Sequence, residues 1–317
     1  MHALTSPSDA LEAATERVVA LDRPDLSTIA LSGTDVLRYL HAVCTQHTLD
    51  LAPGDATQAL LLSPKGKIEF AFRLAVLDGG VLLDTEAAAA PALVERLARF
   101  VFRHDVTVGQ PVAGAASVLG PGAEAALVAA GLPVPVPGQA GVAGPELVVH
   151  RTPVGFDLVG PAAPAAAAEL ERAGLERSPA ERLELARVAG GLPRAGHELT
   201  DDVLAEEAGL LGSHVHLDKG CYPGQETVAR VHNLGQVQRR LAGLVFRPAP
   251  NGGGDGLPAP RTDLVADDGR RAGQLRSVVD HPDLGPIGLA YVRRVVDTGR
   301  LVRAGDRVAT VVDLPFE

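Results

Sequence analysis

The side chains best suited to chemistry lie in one stretch of the chain, Leu217 to Asn233, which reads L-D-K-G-C-Y-P-G-Q-E-T-V-A-R-V-H-N. An ammonium group, a thiol and a phenol occur close together there, at Lys219, Cys221 and Tyr222. The thiolate is the form of cysteine that acts as a nucleophile and binds metals, and a neighbouring cation stabilises it. These residue types therefore indicate a reactive or ligating sulfur at Cys221. A tight turn around a buried, inert cysteine is the alternative that the same residues allow.

The residues around this thiol predict a turn that leads into a helix. Two glycines, Gly220 and Gly224, flank the thiol and permit backbone angles that other residues avoid. A helix is predicted after Gly224, with Glu226 and Arg230 at the favourable i, i+4 spacing. Cys221 would then lie just ahead of a helix N-terminus, where the backbone dipole favours a negative charge.

Length and composition limit the class of protein. A chain of 317 residues exceeds what one hydrophobic core usually supports, so we expect two or three domains. The composition is 46% hydrophobic and 21% charged, as in soluble globular proteins. No apolar run reaches the roughly 18–20 residues of a membrane-spanning helix. Residues 1–17 lack the basic start and apolar core of a signal peptide, so no membrane association is expected.

Charge and cysteine usage limit the partners. A net charge of −10 and only 3% aromatic residues disfavour strong direct nucleic-acid binding, which needs basic faces or stacking surfaces. The two cysteines, Cys44 and Cys221, exclude a disulfide scaffold and a cysteine-rich zinc module. A cytoplasmic location is therefore expected, and the apolar surroundings of Cys44 indicate a core residue.

Hydrophobic periodicity predicts an α+β organisation before the motif. A short strand is predicted at 29–31, followed by a helix that Ser32 caps. Alternating residues predict a long strand with one buried face over 68–76. A helix is predicted over 180–188, and its charged residues predict a solvent-facing side; they are Glu181, Arg182, Glu184 and Arg187. The acidic segment 198–207 is interpreted as a solvated face, because it lacks the spacing of a cation-binding loop.

The C-terminal part differs from the rest of the chain. From 239 onward, short β-type runs alternate with turn signals, a pattern that predicts a small all-β barrel or sandwich. We place a domain boundary there, with residues 1–237 on one side and a β-domain at 238–317. Within 1–237, a second α+β subdomain is placed at roughly 50–110. The Gly252–Gly254 run is interpreted as a hairpin loop, since the lysine and helix of a phosphate-binding loop do not follow it.

Four motifs, in this order, resemble one family. They are L-S-P-K-G-K-I at 62–68, G-G-L-P-R-A-G at 190–196, E-A-G-L-L at 207–211 and K-G-C-Y-P-G-Q-E-T-V-A-R at 219–230. Together they resemble the YgfZ/GcvT folate-binding family, which includes the YgfZ-type proteins and the aminomethyltransferases (T-proteins) of glycine cleavage. The long last motif is specific, and the resemblance extends over essentially the whole chain.

The resemblance implies a fold, a ligand and a role. The fold would be a three-domain α+β ring of the aminomethyltransferase type with a C-terminal β-barrel, and tetrahydrofolate would bind in its central channel. YgfZ-type members act in iron–sulfur cluster assembly or repair, with a link to tRNA modification, so iron–sulfur proteins or cluster carriers are the implied partners. The resemblance assigns chemistry to Cys221 and Lys219. It assigns cofactor contacts to Tyr222, Gln225, Glu226, Arg230 and Arg194.

Departures from the family pattern keep other functions open. T-proteins carry a catalytic aspartate just after the K-G-K-I region, where this chain has Phe70 and Ala71. Neither side chain can move a proton, which argues against aminomethyl transfer. Ala189 and Ala195 replace a pterin-contacting glutamate and an aromatic residue of the family. The alternatives are therefore a folate-dependent one-carbon transferase and a binding or regulatory module that no longer takes folate.

A pair of histidines just before the motif raises the question of a metal. His214 and His216 would point the same way on a strand and could meet Cys221. Structural zinc usually has four protein ligands, and no second cysteine lies nearby. We therefore predict no metal site, and interpret both histidines as exposed or hydrogen-bonded.

Overall fold

The computed structural model describes residues 18–235, 237–247 and 256–316, so the Gly252–Gly254 run lies outside the described residues. Residues 18–180 and 211–229 form one compact unit, named the site unit because it contains Cys221. Residues 181–210 and the described residues from 230 onward form a second, named the barrel unit. Residues 181–210 thus belong to the same unit as the barrel strands. The domain boundary near 238 stays a prediction.

The site unit contains two sheets, which are antiparallel except at one strand pair. Its strands are β1 (Val19–Asp22), β2 (Leu26–Ser32), β3 (Ala56–Leu62), β4 (Ile68–Leu77), β5 (Gly80–Glu86), β6 (Thr107–Val108), β7 (Val112–Ala113), β8 (Ala115–Leu119), β9 (Ala140–Val142), β10 (Val148–Thr152), β11 (Gly155–Val159) and β12 (Glu176–Arg177). One sheet has the order β3-β4-β5-β2-β6, with β7 also paired to β2. The other has the order β12-β1-β8-β11-β10-β9, in which the β1–β12 pair is parallel.

The described helices are short. They are α1 (Val36–Val43), α2 (Ala90–Ala98), α3 (Ala123–Ala129), α4 (Ala163–Arg172), α5 (Ala180–Ala189), α6 (Leu211–His214) and α7 (Gln225–Leu234). α1 and α2 bury Tyr39, Leu40, Leu93 and Leu97 in the same core cluster as the first sheet. None of the described helices is both long and apolar enough to cross a membrane.

The strand predictions for the first sheet are confirmed, with two corrections. β2 contains 29–31 and β4 contains 68–76. However, β4 is packed on both faces near its end, because Ala75 is buried in a second core cluster. The predicted cap, Ser32, ends β2 and pairs with Gly80 of β5. Its backbone therefore belongs to the sheet, and α1 starts only at Val36.

The barrel unit contains a closed six-stranded barrel, which decides between the predicted barrel and sandwich. Its strands are β13 (Arg239–Phe246), β14 (Asp263–Ala266), β15 (Arg271–His281), β16 (Gly285–Arg293), β17 (Leu301–Ala304) and β18 (Arg307–Val312). They follow the order β13-β16-β15-β14-β17-β18, and antiparallel pairing of β13 with β18 closes the barrel. Closure removes the free strand edges that a sandwich would leave.

Two charged segments predicted to face solvent each contain buried charged residues in the barrel unit. Arg187 of α5 is 6% exposed and contacts Glu184 and Glu198, of which Glu198 is fully buried. Glu207 is also buried and pairs with Arg239. The prediction of solvated faces was wrong at these positions, because charge pattern alone does not reveal a buried partner distant in sequence.

Candidate functional site

Lys219 anchors the loop that carries Cys221. Its Nζ donates to the backbone carbonyls of His41, Cys44 and Gln46 at 2.5, 2.6 and 3.0 Å. These carbonyls lie at and just beyond the C-terminus of α1, where helix carbonyls lack intrahelical partners. An ammonium has three donors, and all three are used. Burial lowers the pKa of Lys219. Its position is that of a loop anchor beside the thiol.

Tyr222 and Gln225 hold the turn between the loop and α7. The Tyr222 ring is buried, with its centroid 4.9 Å from the Nζ of Lys219. Burial raises the pKa of the Tyr222 phenol. The Tyr222 backbone N–H donates to Oε1 of Gln225 at 3.2 Å. Both residues thus make contacts within the motif itself.

Two distant sequence motifs interlock through glycines. Gly224 has a φ of +84°, and a Cβ there would lie 2.6 Å from the carbonyl oxygen of Ser63. Gly66 has a φ of +75°, and a Cβ there would lie 2.6 Å from Cβ of Thr227. Both glycines are thus required by backbone angle and by close approach. The S-P-K-G-K turn and the K-G-C-Y-P-G-Q-E motif therefore form one packed structure.

The two cysteines have opposite surroundings. Cys221 is exposed, on the loop directly before the turn into α7. Cys44 is fully buried at the end of α1, and this burial raises the pKa of its thiol. The charge of Lys219 acts in the opposite direction on Cys44, so the buried thiol lies close to the anchor. The exposed position required of a reactive thiol thus belongs to Cys221.

The other predicted contact residues are distributed over both units. Glu226 and Arg230 are exposed on α7, and no ion pair joins them in the described structure. Arg194 lies in the barrel unit, where its guanidinium is 3.5 Å from Glu184. Its backbone N–H donates to the buried carboxylate of Glu198.

The positions that depart from the family pattern are occupied by packing residues. Phe70 packs against the core of the first sheet, and the carbonyl of Ala71 accepts a hydrogen bond from Thr85. The adjacent carboxylate, Glu69, pairs with Arg96 at 3.0 Å. Thus no free carboxylate occupies 69–71.

Ala189 and Ala195 likewise serve packing and backbone contacts in the barrel unit. Ala189 is buried among apolar residues, including Ile287 and Leu289. Ala195 forms an isolated bridge with Leu199. An alanine side chain offers a pterin no hydrogen bond at either place.

The predicted alternation of His214 and His216 does not occur. His214 ends the short helix α6, and its Nδ1 lies 2.8 Å from Oγ of Ser213. Burial lowers the pKa of His214 to about 4. Within the part of the chain that the structure describes, no group of three or more His, Cys, Asp or Glu residues is placed to hold a metal ion.

His41 and His47 were not predicted as site residues, and the structure places His47 beside both His41 and His216. The His41 and His47 ring centroids are 4.8 Å apart, and those of His47 and His216 are 5.3 Å apart. A Cβ on Gly220 would lie 3.8 Å from Nε2 of His41, so this imidazole borders the Cys221 loop. The available signal was a pair of histidines flanking the end of α1, but nothing in the sequence linked them to the motif.

Comparisons with known proteins agree with the resemblance in the motifs. No protein-family model matches the chain. It is 22% identical over 341 aligned positions to a putative chloroplastic transferase of Arabidopsis thaliana, covering 100% of this chain and 75% of the relative. It is 37% identical over 136 residues to an aminomethyltransferase of Moorella thermoacetica, covering 41% of this chain and 35% of the relative.

A solved structure is similar over nearly the whole chain. The glycine cleavage system aminomethyltransferase T of Bartonella henselae aligns with a TM-score of 0.82 at 22% identity, covering 98% of this chain and 90% of that one. The α+β architecture with its C-terminal barrel is therefore confirmed. The chain has the fold of this aminomethyltransferase.

Proposed function

We propose that this protein is a YgfZ-type folate-binding protein that supports iron–sulfur cluster assembly or repair, with Cys221 as its functional thiol. The observation that carries the proposal is that different residues of the motif hold the loop and present the thiol. Lys219, Tyr222 and Gln225 hold the loop, whereas the Cys221 thiol is exposed. A thiolate can bind iron or relay sulfur, so the cluster or its precursor is the substrate on which this thiol would act. Iron–sulfur proteins or cluster carriers in a reducing cytoplasm are the proposed partners.

A reduced folate fits the polar residues that the motif leaves exposed. The Glu226 carboxylate would accept hydrogen bonds from a pterin, and the Arg230 guanidinium would pair with the glutamate tail. Aminomethyltransferase relatives imply a folate-related substrate. The apolar surroundings of Ala189 supply no carboxylate, so we expect the affinity to be weaker than a full set of family contacts would give.

Anaerobic calorimetric titration with tetrahydrofolate tests the ligand. Saturable binding in the micromolar range, about −8 kcal/mol, is expected. Glu226→Gln and Arg230→Gln should each weaken it, whereas the exposed Lys65→Gln serves as a control outside the proposed contacts. Absence of binding would instead favour the binding or regulatory module that no longer takes folate.

A second test addresses the thiol. Cys221→Ser should fail to restore a cluster-dependent enzyme or tRNA modification in cells that lack the protein, while retaining folate binding and the native melting temperature. Cys44→Ala removes the other thiol and should restore the function. Equal complementation by Cys221→Ser and the unaltered protein would eliminate the thiol from the proposal.

One-carbon transfer is the second candidate, favoured by the names of the relatives and by the fold. Glu69 is paired with Arg96, and Phe70 and Ala71 carry no acid or base. We therefore expect no transfer of a one-carbon unit from a methylated amine to tetrahydrofolate. Formation of methyltetrahydrofolate and the demethylated amine at catalytic rates would reverse the order of the two candidates.

A further inference from the structure

The Cys221 loop is attached to the end of α1 by a compact set of hydrogen bonds. Besides the three Lys219 bonds, the Thr45 hydroxyl donates to the carbonyl of His214 at 2.6 Å. The backbone N–H of His216 donates to the carbonyl of Thr45 at 3.0 Å. This attachment connects residues 41–46 with residues 213–219, and we name it the loop seam.

Three imidazoles lie on the loop seam. His41 and His47 are in edge-to-face contact, and His47 contacts His216. Nδ1 of His41 and Nε2 of His47 are buried and have no hydrogen-bond partner in the described structure. Nε2 of His47 lies 3.2 Å from the exposed carboxylate of Asp50, without hydrogen-bond geometry. A neutral ring tolerates such an unpaired nitrogen far better than a charged ring does.

The charges around His41 oppose its protonation. Burial lowers the pKa of His41, and the charges of Lys219, His47 and His216 lower it further. The charge of Asp50 acts in the opposite direction. These charged groups lie on the motif loop, on the segment before it and on the segment after α1. Positive charges about 5 Å apart repel one another, and this repulsion is stronger in a partly buried setting than in water.

We propose that His41, whose ring contacts His47, is a positioning residue that holds the Cys221 loop only while it is neutral. Protonation then weakens the loop seam, releases Lys219 from the carbonyls of α1 and uncovers Cys44. The inference rests on this geometry and does not depend on the proposed cluster or folate function.

The direction of the pH effect follows from the lowered pKa. The unfolded or released loop takes up a proton near pH 6.5, the ordinary value for histidine, whereas the closed seam resists it. The contribution of the seam is therefore complete above about pH 6.5 and is lost as the pH falls below that value. For each proton taken up, the released population rises by up to about tenfold per pH unit.

The two cysteines provide the measurement. Both thiols would be labelled with 4,4′-dithiodipyridine between pH 5.5 and 8, and peptide mass spectrometry would give the labelling rate of each. The quantity compared is the ratio of the Cys44 rate to the Cys221 rate. Cys221 is exposed and serves as the reference thiol, whereas Cys44, whose carbonyl accepts from Lys219, is fully buried. We expect the ratio to rise by about tenfold from pH 7 to pH 5.5. A ratio that stays constant with pH overturns the proposal.

Variants separate the imidazoles from other titrating groups. His41→Gln should flatten the pH profile of the ratio, and the variant with glutamine at all three positions should abolish its pH dependence. His232→Gln is the matched control, because His232 is exposed on α7 outside the cluster. Circular dichroism at pH 7.5 would confirm folding, and the single variants stand if the triple variant does not fold. An unchanged pH profile in folded His41→Gln would assign the effect to other groups and reject the proposal.

Discussion

Lys219 in the site unit and Arg187 in the barrel unit each use all their donors, but their hydrogen-bond partners differ in charge. In the site unit, the three donors of Lys219 go to neutral backbone carbonyls. In the barrel unit, the five donors of Arg187 go to two carboxylates, a hydroxyl and a carbonyl, on Glu184, Glu198, Ser277 and Leu192. Ser277 in turn donates to the second oxygen of Glu198 at 2.6 Å.

The difference in partners means that the charge of Arg187 is neutralised by carboxylates, whereas the charge of Lys219 is not. The charge of Arg187 is neutralised where it is buried, so this network mainly ties α5 to the barrel strand β15. The charge of Lys219 has no carboxylate partner among its hydrogen bonds, and it acts on Cys44, Tyr222 and His41 nearby. A loop held in this way is sensitive to further charge, whereas the network is sensitive to loss of a partner.

The largest expected effect is in the barrel unit. Glu198→Ala would leave Arg187 buried without one of its two carboxylates and should reduce the free energy of unfolding by about 3–5 kcal/mol. Glu181→Ala removes an exposed carboxylate of the same helix and should change it by less than about 0.5 kcal/mol. Urea denaturation of the three proteins tests this. Similar midpoints would mean that the network contributes little to stability.

Gly224→Ala should have the next largest effect, and only in the site unit. The added methyl group would meet the Ser63 carbonyl, at a φ of +84° that alanine disfavours. Strain and overpacking together predict a loss of about 2–4 kcal/mol. Gly220→Ala is the control in the same motif, because a Cβ there would come no closer than 3.8 Å to a neighbour. Hydrogen exchange should increase in 62–68 and 219–228 for Gly224→Ala alone.

Lys219→Met should loosen the loop with a smaller loss of stability. Three carbonyls would lose their donor, a cost of about 1–3 kcal/mol, and Cys44 should become labelled faster at pH 7.5. Lys219→Arg should not rescue it, because a planar guanidinium cannot place one nitrogen among three carbonyls. Lys65→Met, in the exposed S-P-K-G-K turn, is the control. Unaltered Cys44 protection in Lys219→Met would contradict the anchoring role.

The smallest expected effect is the acid response of the Arg187 network. Burial would raise the pKa of Glu184, but its hydrogen bond to Arg187 and the arginine charge outweigh this and lower it. Its contribution to stability is therefore complete above its ordinary pKa near 4.5 and is lost as the pH falls below that value. Because Glu184 is partly exposed, the loss should stay below about 1 kcal/mol. Urea midpoints between pH 7 and 3.5 should fall less for Glu184→Gln than for the unaltered protein. Equal slopes would remove Glu184 from the acid response.

Much of the architecture was predictable because it depends on local patterns. Alternation over 68–76 predicted β4, and the change to short β-runs after 239 predicted the barrel strands. The helix after Gly224 was also predictable, since glycine and the polar first turn are local signals. The Ser32 cap was wrong because serine is a common cap but the sheet pairing of β2 extends through that residue.

The sequence predicted which residues form the candidate site better than it predicted what each of them does. The motif alone pointed to Cys221, and its exposure agrees with a reactive thiol. The roles of Lys219, Tyr222 and Gln225 in holding the loop depend on partners at 41–46 and on the turn geometry. No spacing rule links residues 175 or more positions apart, such as Lys219 and Cys44.

Residue types and short-range periods were therefore sufficient for many of the elements and for the aminomethyltransferase-like motifs, and they made Cys221 the candidate thiol. Long-range contacts determined which charges are buried, which glycines have no room for a side chain, and which histidines border Cys221. The physical reason is that burial and electrostatic neighbours are properties of three-dimensional packing. The same lysine or arginine in the sequence is a solvated charge or a buried anchor according to what the fold places around it.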